Sequence, residues 1–176
     1  MRTRGFTLVE VLVAMAVLSA ATLGGVHLMA FATRGMHVAR MQGIAALAAS
    51  SRLDQLRSLQ FEFDPAGQRL TDVATDLTVD PPGPGGSGLT SSGSGSLDTN
   101  VSGFVDYLDD AGRWVGSGPT PPRAAVFVRR WAVESPGPPD LLVLQVLVRP
   151  LANGPLAGRR QPGDARMFTA RARVRR

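Results

Sequence analysis

The chain contains no cysteine and no lysine. Without cysteine there is neither a disulfide framework nor a thiolate metal site, so any folded domain must be held by its own core and its neighbours. All 19 basic residues are arginine, which reads as a codon bias more than as a chemical requirement. Histidine is scarce: His27 and His37 are the only two, and they are too far apart for an i, i+4 metal pair. No Gly-x-Ser-x-Gly elbow, phosphate loop or paired-acid cleft stands out, and many of the serines sit in one Gly/Pro-rich stretch. The sequence therefore reads as that of a non-enzyme, with no metal and no cofactor expected. Length allows one small soluble domain besides any apolar anchor.

The net charge of +5 is unevenly placed. Residues 1–120 hold eight arginines against eleven acids, whereas residues 121–176 hold eleven against three. A basic half can contact nucleic acid or an acidic surface. Such charge is more often a solvated face or a contact with an acidic neighbour, and nucleic acid is not the expected partner.

What the chain does have is an apolar run from Phe6 to about Ala32, longer than the roughly 20 residues a spanning helix needs. Arg2 and Arg4 precede it and set the orientation, because arginine stays on the cytoplasmic side. The run holds a single charged side chain, Glu10. A charge deep in a bilayer costs roughly 2.5–3.5 kcal/mol on insertion scales, which makes such a residue a functional candidate by default. Ala16, Ala20 and Gly24 recur every fourth residue, with Ala21 and Gly25 beside them; small residues at that spacing let helix backbones approach closely in a membrane. Gly24-Gly25 is also the soft point, since each glycine costs about 1 kcal/mol of helix stability relative to alanine.

The segment Arg4-Gly5-Phe6-Thr7-Leu8-Val9-Glu10-Val11-Leu12-Val13-Ala14 resembles the N-terminus of type IV prepilins and of the pseudopilins of type II secretion. The resemblance implies that a membrane prepilin peptidase cuts after Gly5 and methylates the new N-terminal Phe6, and that Glu10 takes part in filament assembly. Elementary geometry agrees. After that cut the α-amine sits on Phe6, and Glu10 lies four residues on, one helical turn away on the same face. Two rival readings exist. An ordinary signal peptide would be cut after its apolar core, near Ala20-Ala21 or Ala30-Phe31-Ala32; a plain anchor would make Glu10 an accident near the interface. Neither explains Gly5-Phe6 and Glu10 together.

Beyond the run, Val38, Met41, Ala45, Ala48, Leu56, Leu59 and Phe63 fall near one face at 3–4-residue steps, with Arg40, Arg52, Asp54 and Arg57 elsewhere. This predicts a helix of roughly 55 residues ended by Asp64-Pro65-Ala66-Gly67. Its second half, around Leu53-Asp54-Gln55-Leu56-Arg57, loosely resembles that of PilV-like minor pilins and of the minor pseudopilin I of type II secretion. A short strand is expected around Leu77-Thr78-Val79, and a flexible Pro/Gly/Ser linker with nothing to bury from Pro81 to Ser96. Val105–Leu108, an Asp-rich turn closed by Gly112, and Arg113–Val115 read as a hairpin. Asp106, Asp109 and Asp110 lack the calcium-loop spacing with a distal Glu, so the turn is preferred. Strands are expected at Ala125–Val133, at the nearly all-apolar Leu141–Val148, and at Phe168–Val174, where Phe168, Ala170, Ala172 and Val174 share one face.

The expected fold is α+β: a long N-terminal helix, membrane-spanning in its first half, packed on a C-terminal antiparallel sheet, which is also the type IV pilin fold the resemblance implies. The expected organisation is a leader at 1–5, a transmembrane and assembly helix at 6–32, its soluble half at 33–64, an irregular loop at 65–102 and the sheet domain at 103–176. The function the resemblance implies is that of a minor pilin, single-pass in the inner membrane with its C-terminal domain periplasmic, entering or priming a type IV pilus. Its implied partners are prepilin peptidase, other pilins or pseudopilins, the inner-membrane assembly platform and the lipid bilayer. The alternatives are a minor pseudopilin of type II secretion, a DNA-uptake or adhesion tip pilin contacting through the arginine-rich 159–176 tail, and an anchored periplasmic protein that never assembles.

Overall fold

A computed structural model describes residues 7–137, 141–151 and 163–172. Gly5, Phe6, Val174 and the pair Arg159-Arg160 lie outside the described residues. The chain divides into two compact units, Met1–Ala39 and Arg40–Arg176, and helix α1, Leu8–Ser58, belongs to both.

In the first unit the described residues are one uninterrupted helical shaft with every side chain exposed, Gly24-Gly25 included. A helix this long holds without tertiary support only where its apolar surface leaves water.

The second unit is built on the last part of α1. Ala45, Ala48, Ala49, Leu53 and Leu56 are buried there against Phe127, Trp131, Val133, Leu144 and Val146 of the sheet. Alanines on the contact stripe bring the helix axis close to the sheet, and each leucine buried adds about 1.5–3 kcal/mol. The sheet is antiparallel and five-stranded in the order β6-β5-β7-β8-β9. Its strands are β5 (Val105–Leu108), β6 (Trp114–Ser117), β7 (Phe127–Glu134), β8 (Leu141–Pro150) and β9 (Ala165–Ala172). Registers such as Trp131↔Val146 and Leu144↔Thr169 place the even positions of β8 on the helix side. The expected hairpin is present: Gly112, at φ 79°, closes the Asp109 turn between β5 and β6.

Three expectations change. The helix stops at Ser58, and Phe63, expected on its buried face, lies in β1 (Phe61–Phe63), which pairs with β2 (Arg69–Thr71). The alternation Phe61-Glu62-Phe63 has period two and overrides the helical reading. Asp64-Pro65-Ala66-Gly67 is the turn of that hairpin: Asp64 Oδ1 accepts the Gln68 N–H at 2.7 Å and Gly67 takes φ 82°. The short strand predicted at Leu77–Val79 falls slightly earlier, as β3 (Thr75–Asp76) paired with β4 (Gly83–Pro84), and Leu77 itself enters the core. The Pro/Gly/Ser stretch buries Leu89, Ser92 and Ser96. Beyond the end of β5, Phe104 and Ser92 take over the edge of β7: Trp131 N–H donates to the Phe104 carbonyl at 3.1 Å, and Ser92 N–H to the Val133 carbonyl at 2.9 Å.

Candidate functional site: the start of the helix and its apolar shaft

Thr7 and Glu10 build the helix start together. Glu10 N–H donates to Thr7 Oγ1 at 3.3 Å, while Glu10 Oε2 accepts both the Thr7 N–H and the Thr7 hydroxyl at 3.2 Å. This is the reciprocal Thr-x-x-Glu capping box, which satisfies backbone donors that a helix leaves orphaned at its first turn. The first helical bond, from Val11 N–H to the Thr7 carbonyl, closes behind it. A carboxylate in the first turn is also favoured by the positive end of the helix dipole. Thr7-Leu8-Val9-Glu10 carries the signature of this box, so Glu10 has a capping role besides the charge expected on Phe6. All three bonds fall on Oε2 or the Thr7 hydroxyl, and among the described residues Oε1 accepts none.

Behind this start the shaft is long and apolar enough to cross a membrane, and its most apolar window has no buried residue. Its weakly polar side chains turn back on the backbone: Ser19 Oγ donates to the Met15 carbonyl at 2.8 Å, Thr22 Oγ1 to that of Ser19 at 2.9 Å and Thr33 Oγ1 to that of Met29 at 2.8 Å. Such bonds remove the desolvation cost of a hydroxyl in lipid. Ala16, Ala20 and Gly24 lie along this shaft, and a Cβ added at Gly24 meets nothing within 4 Å. No contact among the described residues therefore demands the glycine.

In the second unit several charged side chains are buried. Arg52, expected off the buried face, is 1% exposed. It donates to the Leu77 carbonyl and, at 2.5 Å, to Asp106 Oδ2. Arg129 completes a triad, donating to Asp106 Oδ1 at 2.9 Å and to Oδ2 at 2.6 Å. Arg129 also reaches the Ala48 carbonyl of α1 at 3.4 Å. Arg52 lies 4.6 Å from the Trp131 ring centroid, in cation–π contact. Burial pushes the Arg52 guanidinium down to about 10, with Asp106 opposing and Arg129 adding to the shift, so it stays charged at neutral pH. A second buried pair, Arg149–Asp164 at 3.0 Å, ties β8 to the start of β9. Asp109, by contrast, serves its turn, accepting the Ala111 and Arg113 N–H groups at 2.9 Å. Among the described residues no cluster of three metal-ligating side chains exists.

The first unit is a membrane-length helix with a capped, acid-bearing start, and the second packs a helix on an antiparallel sheet. Residues 1–26 match the family of the prokaryotic N-terminal methylation motif. Comparison with curated proteins and with solved structures returns no match. The motif, with the long helix packed on an antiparallel sheet in the second unit, supports the type IV pilin and pseudopilin family. It implies processing by prepilin peptidase, assembly with other pilins and anchoring in a membrane.

Proposed function

We propose that this chain is a minor pilin, cut between Gly5 and Phe6, methylated on Phe6, and then incorporated into a type IV pilus or used to prime its assembly. It is a structural subunit and a substrate of the processing enzyme, with its leader in the cytoplasm and its sheet domain across the inner membrane. The observation that carries the reading is the position of Glu10, which is the one acid on an exposed apolar shaft and is held at the helix start by Thr7. Cleavage after Gly5 creates an ammonium on Phe6 and leaves the Phe6–Thr7 amide intact, so the capping box survives processing. Glu10 can then cap its own helix through Oε2 and meet the ammonium of a neighbouring subunit through Oε1.

Pairing decides the energetics. An unpaired charge buried among helices costs several kcal/mol, and the opposite charge offsets it only at close range. One axial stagger brings the two groups together, so the pair also sets register. Ala16, Ala20 and Gly24 leave room for the close helix approach that such packing needs. Intact-mass measurement of the membrane-extracted chain tests processing: the reading requires a chain that starts at Phe6 and is one methyl group heavier. A start near Ala21 or Phe31 contradicts it.

A further inference from the structure

Strand β9 turns its chemistry inside out. Ala165 and Met167 face the core, but so do Thr169 and Arg171, while Phe168, Ala170 and Ala172 face outward. Phe168 is 75% exposed, and the other aromatic side chains described in the second unit are buried or half-buried. Its ring lines a groove of about 770 Å³ on the outer face of the sheet, beside Val143, Gln145 and Leu147 of β8. A strand with one face in a core ordinarily turns its apolar set inward. Here the inward positions near the end of α1 are occupied by Arg171, which donates to the Leu59 carbonyl at 2.8 Å and lies 5.2 Å from the Phe61 ring.

The strand is also an edge. It pairs with β8 along one side, and among the described residues no backbone hydrogen bond reaches its other side. It runs eight residues, Ala165–Ala172, without proline and with no register shift against β8. Natural edges are usually short, bulged or covered, because a row of unpaired N–H and C=O groups is a template for another strand. The strand itself carries charge of one sign, although Asp98, Glu134 and Asp164 also line the groove beside it. Arg166 is exposed and Arg171 half-buried, β9 holds no acid, and Arg173, Arg175 and Arg176 follow in the sequence.

We propose that the free edge of β9 docks an extended segment of a partner subunit that alternates apolar and acidic residues. Main-chain bonds to the unpaired groups supply the affinity, as in other strand additions. The partner's apolar side chains cover Phe168 and Ala170 on the outer face, so its carboxylates fall on the inner face, where Arg171 meets them. A second copy of this chain pairing edge to edge fits poorly, because it sets arginine-rich strands side by side. The inference stands on the second unit alone and is independent of how the N-terminus is processed.

The test uses the full chain in detergent micelles and a fluorescent, end-blocked octapeptide alternating valine and glutamate, with the valine–lysine octapeptide as its control. The glutamate peptide is expected to bind and the lysine peptide not. Phe168→Ala, at an exposed position, and Arg171→Gln, which removes the charge the carboxylates meet, each weaken binding by about tenfold or more. Amides within Ala165–Ala172 exchange more slowly when the glutamate peptide is present. Equal binding of both peptides, binding unchanged in the two variants, absence of binding, absence of slowed exchange in β9, or self-association of the chain through β9 each overturns the proposal.

Discussion

Arg52 of α1 and Asp106 of β5 form an ion pair of 2.5 Å in which the side chains are 1% and 0% exposed. Arg129 of β7 holds the same carboxylate, so one acid joins the helix to two neighbouring strands. Two guanidiniums on one carboxylate leave a net positive charge inside the domain, and Arg52 Nε has no hydrogen-bond partner among the described residues. The triad specifies which turn of the helix meets the sheet more than it adds net stability.

The two ends of that triad differ in consequence. Asp106→Ala strands two buried cations and destabilises the domain by about 3–5 kcal/mol. Arg52→Met keeps the volume and leaves Asp106 with both bonds from Arg129, so its cost is distinctly smaller. Denaturant unfolding of the full chain in micelles, followed by tryptophan fluorescence, gives the order; an Arg52→Met loss equal to that of Asp106→Ala contradicts it.

The loop between α1 and the large sheet is testable through its glycines. A Cβ on Gly86 meets the Asp76 backbone, with Cα at 2.1 Å and N at 2.5 Å, whereas one on Gly93 meets nothing within 4 Å. Gly86→Ala therefore costs about 1–3 kcal/mol, and Gly93→Ala is neutral or slightly stabilising through the unfolded state. Equal effects from the two substitutions contradict the packing of β3 and β4.

Acid loosens the turn of the β5–β6 hairpin. The Arg113 N–H is the largest influence holding the Asp109 carboxyl below its ordinary value of 3.8, and the Arg113 side chain and the Ala111 N–H add to it. The stability this contributes is complete above that ordinary value and is lost as pH falls through the lower folded value. Amide exchange at Ala111 and Arg113 should rise as pH drops below about 4, after correction for intrinsic rates, and Asp109→Asn should remove the pH dependence.

Much of this fold is legible in the residues. The apolar run, the antiparallel strands expected from 105, 125, 141 and 168, and the Asp109–Gly112 turn follow from period, apolar content and glycine placement. The last of those strands starts three residues earlier, at Ala165. The helix end was harder, because Leu59 and Phe63 continue a helical spacing while Phe61-Glu62-Phe63 also has period two; the pairing with β2 decides between them. The buried arginines were not legible. Arg52 reads as a solvent-side residue until Asp106, 54 positions away, is known to face it. The Pro/Gly/Ser stretch looks empty by composition, and the burial of Leu89 and the Ser92–Val133 bonds come from tertiary pairing. At the N-terminus the signal was in plain view twice, once as a methylation motif and once as a capping box.

The most direct measurement separates the two tasks of Glu10. Glutamine at the fourth position of a Thr-x-x-Glu box still caps the helix, so Glu10→Gln keeps the start of α1 and removes only the charge. The account predicts a variant that is inserted and cut at Gly5 normally, since the peptidase reads the junction, but fails to co-purify with partner pilins and is missing from sheared filaments. Thr7→Ala, which loses the hydroxyl and about 1 kcal/mol of capping, should still co-purify. Glu10→Gln co-purifying as well as the unaltered chain contradicts the assignment of this carboxylate as the assembly contact.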